Sequence, residues 1–320
     1  MRFEGARAAL ALAAVRDQAE ADCAACHPTV ASEWEASLHR HAFDDEVFLA
    51  AFENEPRPSC RACHAPRGEA SRGVDCETCH VRRGWVIGAF RRAGSPHAGP
   101  VDPSMASPDA CAGCHEFDFP DDVDLGLPPS GVPMQSTATE WAASPAALED
   151  RTCQDCHMGE GAHLDHRFAV RDDPAILRGA AQVSVRTTRT DAGVDVEVEL
   201  RATRVGHGLP TGDLFRELRL ELRGGDRVEE RVYGHVFAPE PLSAEARART
   251  GFDSLRRPVG DTRLYDGEVR VERFEAWPDV ELSITLDHLL MPPALAATLG
   301  VSERRNRTRL FETRVSPGSE

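Results

Sequence analysis

The sequence predicts an α+β chain in two parts, a mostly helical and irregular first part followed by an all-β immunoglobulin-like sandwich. Two observations separate them. All ten cysteines fall between Cys23 and Cys156, in pairs each closed by a histidine, in a stretch with few long apolar runs. Beyond Gln182 cysteine is absent, and apolar residues alternate with polar ones at period two, the pattern of half-buried antiparallel strands. The expected division is 22–175 and 176–320, with 1–21 set apart as a leader.

The repeated unit is Cys-x-x-Cys-His. It occurs at Cys23, Cys26 and His27; at Cys60, Cys63 and His64; at Cys76, Cys79 and His80; at Cys111, Cys114 and His115; and at Cys153, Cys156 and His157. Two thiols at this spacing can bond to the two vinyl groups of one haem, and the following histidine then lies under the iron as axial ligand. Five units use all ten cysteines, so no thiol is left for a disulfide or a nucleophile. A zinc ribbon is the competing reading, because the pairs Cys60/Cys63 and Cys76/Cys79 approach ribbon spacing. A ribbon does not require a histidine after each second cysteine. With 13 histidines in 320 residues, five such placements by chance have odds on the order of 10⁻⁷. The expected cofactors are therefore five covalently bound haem c groups, each with its iron.

The five motifs lie within 135 residues. A compact body of that length has a radius of gyration of about 14 Å, so five macrocycles must be near neighbours, close enough to exchange electrons. Besides the five motif histidines there are eight others: His39, His41, His97, His163, His166, His207, His235 and His288. Eight candidates for five distal positions allow every iron to be six-coordinate, with at least three bystanders if all ligands come from this chain. A second axial histidine closes an iron to substrates, so a fully capped set makes a wire and an open position makes catalysis feasible.

Acidic residues number 53 against 37 Lys plus Arg, a net charge of −16, which argues against nucleic acid or an anionic membrane surface as partner. Haem is attached to such motifs outside the cytoplasm, so a periplasmic, cell-surface or extracellular protein is expected. Arg2 and Arg7, the apolar run Ala8 to Val15, and Ala19, Glu20 and Ala21 read as a signal peptide with its cleavage site, or equally as an alanine-rich helix that is retained. No stretch approaches the ~20 apolar residues of a membrane span.

Taken in order, Thr29 to Glu55 reads as one helix, with Ser32 and Glu35 as a capping box, Val30, Trp34 and Leu38 at helical spacing, and Pro56 and Pro58 as its stop. His39 and His41 would then lie on different faces of it. Arg82, Arg83, Arg91 and Arg92 read as partners for haem propionates or as a solvated surface. Asp118 to Pro133 reads as an acidic surface loop whose Asp121, Asp122 and Asp124 match no calcium-loop spacing. In the second part, strands are expected at Val183, Val194 to Leu200, Leu218 to Leu222, Val228 to Phe237, Val269 to Phe274, Val280 to Leu286 and Leu310 to Val315. Turn signals at Asp191 to Gly193, Gly224 to Asp226 and Asp266–Gly267 separate several of them. Ala244 to Leu255 and Pro293 to Leu299 read as helical inserts.

Around the motifs the chain resembles a known group. Cys23, Cys26, His27 and Pro28 followed by Glu33, Trp34, Ser37 and His39 are similar to the opening of the nitrifier tetrahaem cytochromes and the hydroxylamine-oxidoreductase-related cytochromes. Met134, Gln135, Thr137, Glu140, Trp141 and Ser144, then Cys153 to Met158, then His166, Arg167 and Phe168, resemble the last-haem region of the same group. The resemblance implies that His39 and His166 are distal ligands in preference to His41 and His163, which stay as further candidates. Val205 to Asp213 resembles the Gly-His-x-Phe-Pro-Thr-Gly-Asp loop of bacterial multihaem cytochromes that carry a C-terminal β-domain, with Leu209 where phenylalanine is usual.

With His97 in the haem part and His207 between two strands, where Gly206 and Gly208 permit a close backbone approach, the probable distal set is His39, His97, His166 and His207. The alternative for His207 is a turn histidine bonded to Asp213. The expected function is single-electron relay between redox partner proteins or terminal acceptors, not catalysis. Two rivals stand beside it: a multihaem oxidoreductase acting on small nitrogen or sulfur compounds at one open haem, and a subunit of an extracellular cytochrome filament or other oligomer.

Overall fold

The structure is a computed structural model that describes residues 23–91, 93–97, 99–118, 131–159, 161, 163–168, 170–171, 173–250 and 254–317. The leader, Arg92, and Asp121, Asp122 and Asp124 lie outside the described residues. Among the described residues the chain divides into two compact units, one within Met1–Ala142 and Ala147–Ala169, the other within Ala143–Ala146 and Val170–Glu320.

The first unit is built of short helices, chiefly Cys23–Cys26, Pro28–Glu35, Glu46–Asn54, Cys60–His64, Cys76–His80, Asp109–His115, Thr137–Ala142 and Cys153–His157. Two small antiparallel ribbons accompany them: β1 (Val81–Arg82) with β2 (Trp85–Val86), and β3 (Glu116–Asp118) with β4 (Pro133–Ser136). The single helix expected over Thr29 to Glu55 is broken. Its first segment starts at Pro28 with His27 as N-cap and no side-chain cap, so the Ser32/Glu35 box does not form. After Glu35 the chain turns, because the His39 carbonyl accepts from the amide of Val74 (2.8 Å) and the Ser37 hydroxyl accepts from Arg40 N–H (3.2 Å). The chain re-enters helix at Glu46, where Asp45 accepts from Val47 and Phe48 N–H. Long-range hydrogen bonds thus override a helical pattern, and His39 and His41 lie in a turn, not on a helix.

This unit buries few apolar side chains of its own. Among its described residues only Phe43, Ala65, Ile87, Ala112 and Ala138 are buried hydrophobics, far fewer than a packed domain of this size uses. A small aromatic cluster of Phe43, Phe48 and Phe52, with ring centres 5.2–5.5 Å apart, supplements them.

The second unit is the opposite case. It opens with the helix Pro174–Gly179, capped by Asp173 accepting from Ala175 N–H (2.9 Å), and continues as eight strands: β5 (Ala181–Thr190), β6 (Gly193–Ala202), β7 (Glu217–Gly224), β8 (Arg227–Pro241), β9 (Ser254–Asp261), β10 (Val269–Trp277), β11 (Leu282–Leu289) and β12 (Arg307–Val315). They form a three-stranded sheet in the order β10-β6-β5 and a five-stranded sheet in the order β12-β11-β7-β8-β9, antiparallel throughout.

The alternating residues do what their period implies. Val194, Val196, Val198 and Leu200 of β6, Leu218, Leu220 and Leu222 of β7, Phe274 of β10, and Ile284 and Leu286 of β11 share one core with Trp277. Each full burial of such a side chain contributes roughly 1.5–3 kcal/mol. Two expected spans differ. The insert read as Ala244 to Leu255 is helical only over Ala244–Thr250, since β9 begins at Ser254 and pairs with β8, and Val280 precedes β11, which starts at Leu282. Among the described residues no helix is long and apolar enough to cross a membrane.

His288 stands inside this core region, only 4% exposed. Burial, with the nearby Arg216 guanidinium adding to it, pushes its pKa down to about 3. An unfolded histidine protonates near pH 6.5 while the folded one does not, so this stability is fully present above that pH and is lost as pH falls toward 3. Denaturant titrations of the parent and His288→Leu between pH 7 and 4 should therefore diverge. The parent is expected to lose up to about 1.4 kcal/mol per pH unit more than the variant.

Candidate functional site

Each Cys-x-x-Cys-His motif lies on a helical turn or directly follows one. That places the two cysteines, three apart, on one face, with the histidine one turn beyond the first of them. The chain supplies local reasons for the turns. Asp75, only 3% exposed, accepts from Thr78 N–H (2.9 Å) and the Thr78 hydroxyl (2.8 Å), and is itself flanked by Arg72 (3.1 Å) and Arg67 (3.6 Å). Thr152 and Asp155 make a reciprocal capping box at the last motif.

Two tryptophans fix where motifs begin. The indole N–H of Trp34 donates to the carbonyl of Val74 (2.8 Å), two residues before Cys76, and that of Trp141 donates to the carbonyl of Arg151 (2.7 Å), two residues before Cys153. Trp34 and Trp141 therefore serve as two copies of one clamp.

None of the ten cysteines is in a disulfide. Cys63 is hydrogen-bonded to Cys114, and Cys111 to Cys153. Within these pairs Cys114 and Cys111 are held protonated by the shared hydrogen bond and by burial. Burial also pushes Cys76 and Cys79 up to about 11. Cys79 lies within electrostatic range of Cys114, and Cys76 within range of Cys23. Sulfurs of the fourth motif thus neighbour those of the second, third and fifth, and the third neighbours the first. Among the described residues no three His, Cys, Asp or Glu side chains converge to hold a lone metal ion.

The histidines carry the most specific geometry. His27 of the first motif faces His97 with ring centres 6.1 Å apart and planes 19° from parallel. His80 of the third faces His166 at 6.3 Å and 35°, and His115 of the fourth faces His39 at 6.3 Å and 68°. A metal–imidazole bond of about 2 Å, with the ring centre roughly 1 Å beyond the nitrogen, puts two imidazoles on opposite sides of one iron about 6 Å apart. Each pair joins a motif histidine to one of the other eight. The protein thus fits the group in three respects: paired thiols on a turn, imidazoles at an iron-spanning distance, and a unit short of apolar core.

Bonds to backbone carbonyls fix the same tautomer in three of the rings. Nδ1–H of His64 donates to Ala42 O (2.6 Å), of His80 to Ile87 O (3.3 Å) and of His166 to Leu164 O (2.7 Å). A carbonyl only accepts, so in these rings Nδ1 carries the proton and Nε2 carries the lone pair a metal needs. His163 is different. Its Nε2 pairs with Glu33 Oε1 at 2.7 Å, while the backbone N–H of His166 donates to Glu33 Oε2 (3.0 Å), so Glu33 holds the segment that presents His166. These two bonds, the His166 amide first, lower the Glu33 pKa. His41, exposed, bonds through Nδ1 to Asp44 (2.8 Å). His39 is pushed down to about 4, by burial first and by His166 second.

Several contributors had no role assigned from sequence, although Phe168 belongs to the last-haem resemblance. Phe168, at a positive φ of 48°, packs edge-on against both His39 (4.5 Å) and His166 (5.7 Å), and so positions a histidine from each of two pairs. Phe48 stacks on His64 at 3.9 Å and 15°. Gly73 has φ +56°, and a Cβ there would lie 2.3 Å from the His39 carbonyl oxygen, so only glycine lets the two segments meet. Helical or strand periodicity signals none of these, because each depends on a contact between distant segments.

In the second unit, His207 lies in the loop between β6 and β7. Its Nδ1–H donates to Gly208 O (3.0 Å), whereas Asp213 accepts from Phe215 N–H (2.9 Å). The loop is held by two arginines. The Arg263 guanidinium covers Gly208, where a Cβ would come within 2.7 Å of it, and donates to Pro210 O (3.3 Å). Arg216 lies against Gly212, φ +99°, and donates to Thr211 O (3.1 Å). His235 is on β8, its ring 5.7 Å from Phe237.

The fold matches the crystal structure of a penta-heme cytochrome c552 from Thermochromatium tepidum with a TM-score of 0.69 and 19% sequence identity, over 92% of this chain and 97% of that one. At this identity the likeness is one of fold. No protein-family model and no curated protein matches the chain.

Gly73→Ala should force the His39 turn away from Val74, at a cost of about 1–3 kcal/mol. In denaturant titration the variant is expected to be less stable by that amount, with slower growth of the ellipticity signal on refolding.

Proposed function

We propose that the chain is an exported pentahaem c-type cytochrome that relays single electrons. The observation that carries this is the three histidine pairs at 6.1–6.3 Å, each joining a motif histidine to one outside the motifs. The penta-heme cytochrome of the same fold supports it. Cys23/Cys26, Cys60/Cys63, Cys76/Cys79, Cys111/Cys114 and Cys153/Cys156 would hold the five macrocycles by thioether bonds, with His27, His64, His80, His115 and His157 as proximal ligands. His97, His166 and His39 would be the distal ligands opposite His27, His80 and His115. When bound, the haems supply one-electron chemistry.

The chain's residues would set ligand orientation and close the irons to substrate, which favours a wire over catalysis. The fourth motif would stand at a branch, next to the second, third and fifth, a reading that its neighbouring sulfurs support. His207 is retained as the distal ligand contributed by the second unit. Its Nδ1–H is occupied by a carbonyl, leaving Nε2 for a metal. That unit is read as an immunoglobulin-like sandwich, since its strand orders correspond to E-B-A and G-F-C-C′-C″, without a strand D.

Intact mass after export with a cytochrome c maturation system should exceed the polypeptide by five haems. Electron paramagnetic resonance of the oxidised protein should show only low-spin iron. The near-parallel His27/His97 pair is expected to give a rhombic signal and the near-perpendicular His115/His39 pair a strongly anisotropic one. Alanine at His39, His97, His166 or His207 should each convert one haem to high spin, and so should alanine at one of His41 and His163, the two candidates left for the fifth iron. A high-spin haem in the parent that binds nitrite or hydroxylamine would overturn the relay reading in favour of catalysis.

A further inference from the structure

Between Thr78 and Val101 the chain contains Arg82, Arg83, Arg91 and Arg92 and no aspartate or glutamate, in a protein where 53 of 320 residues are acidic and the net charge is −16. The described residues of this locally basic stretch, which exclude Arg92, include the β1–β2 ribbon and a bridge from Gly88 to Val101. The chain's own atoms leave large apolar side chains uncovered on it: Trp85 at 53% exposure, Phe90 at 64% and Val101 at 46%. Arg83 and Arg91 are exposed beside them in the chain. The face is stiffened from within. Arg91 donates to the Gly99 carbonyl, and Gly99 is packed so closely on Val86 that a Cβ would overlap the Val86 carbonyl oxygen at 1.8 Å.

The same ribbon is bonded to a site histidine. Ile87 N–H donates to His80 O (2.8 Å), and His80 Nδ1–H donates to Ile87 O (3.3 Å).

We propose that this face docks a separate, acidic redox protein and that the haem of the third motif is where electrons enter or leave. The inference rests on the relay reading. Exposed aromatic side chains next to arginine are the composition of an interface centre. The overall charge would repel an acidic partner at long range, but the Debye length is only about 8 Å at physiological ionic strength, so the local basic face governs the close encounter. No bond is made or broken in the exchange. One electron passes between the partner's centre and the haem iron, one being oxidised as the other is reduced.

The test uses the haem-loaded protein and, as probe, an acidic flavodoxin in its hydroquinone form, mixed by stopped flow at about 150 mM salt. Dithionite serves as the small reductant. Arg83→Glu/Arg91→Glu should slow reduction by flavodoxin about tenfold and Trp85→Ser several-fold, with unchanged haem content, unchanged reduction potentials and an unchanged dithionite rate. The proposal is overturned if the flavodoxin rate stays within about twofold of the parent. It is also overturned if the dithionite rate or a haem potential shifts along with it, which would assign the arginines to haem propionates. Sedimentation showing a parent dimer that the double variant abolishes would make the occupant a second copy of this chain and overturn it too. Absence of haem or of any reduction by dithionite would instead defeat the relay reading itself.

Discussion

The separation between paired imidazole rings is the constraint on which the first unit depends. Rings in van der Waals contact would stack nearer 4 Å, as Phe48 and His64 do at 3.9 Å. Three histidine pairs instead stand at 6.1–6.3 Å, toward the far end of the range in which rings attract one another. An atom bonded to both rings of a pair would fit that separation. The scarcity of buried apolar residues in this unit fits the same reading, on which large planar apolar groups would fill the volume that side chains leave.

Much of this was readable from the sequence because covalent attachment needs a fixed local spacing. The strand alternation of Val194 to Leu200 and Leu218 to Leu222 was likewise legible, since a two-residue period maps directly onto one face of a sheet. What escaped was non-local. The helical pattern of Thr29 to Glu55 is real in composition, yet the amide of Val74 captures the carbonyl of His39 and the helix stops at Glu35. His163 and His166, three apart, could not be ranked by spacing. Glu33 separates them by bonding the Nε2 of one and the backbone of the other.

Phe168 shows how two haem positions would be linked without a shared ligand. A rigid ring in edge contact with both His39 and His166 leaves neither imidazole free to rotate alone. Its left-handed backbone is an uncommon state for an aromatic residue, held there by its surroundings. The two tryptophan clamps act on the backbone in the same spirit, since each sets the start of a motif helix, Trp34 from 40 residues before its acceptor and Trp141 from ten.

The arginine-covered loop of the second unit has a different bearing. Every contact named for it, Arg263 on Gly208 and Pro210 and Arg216 on Gly212 and Thr211, comes from within the strand-built unit. These contacts are therefore made when that unit folds. The entropy of ordering the backbone around His207 is lost at that moment, and little of it remains to be lost when the imidazole is used.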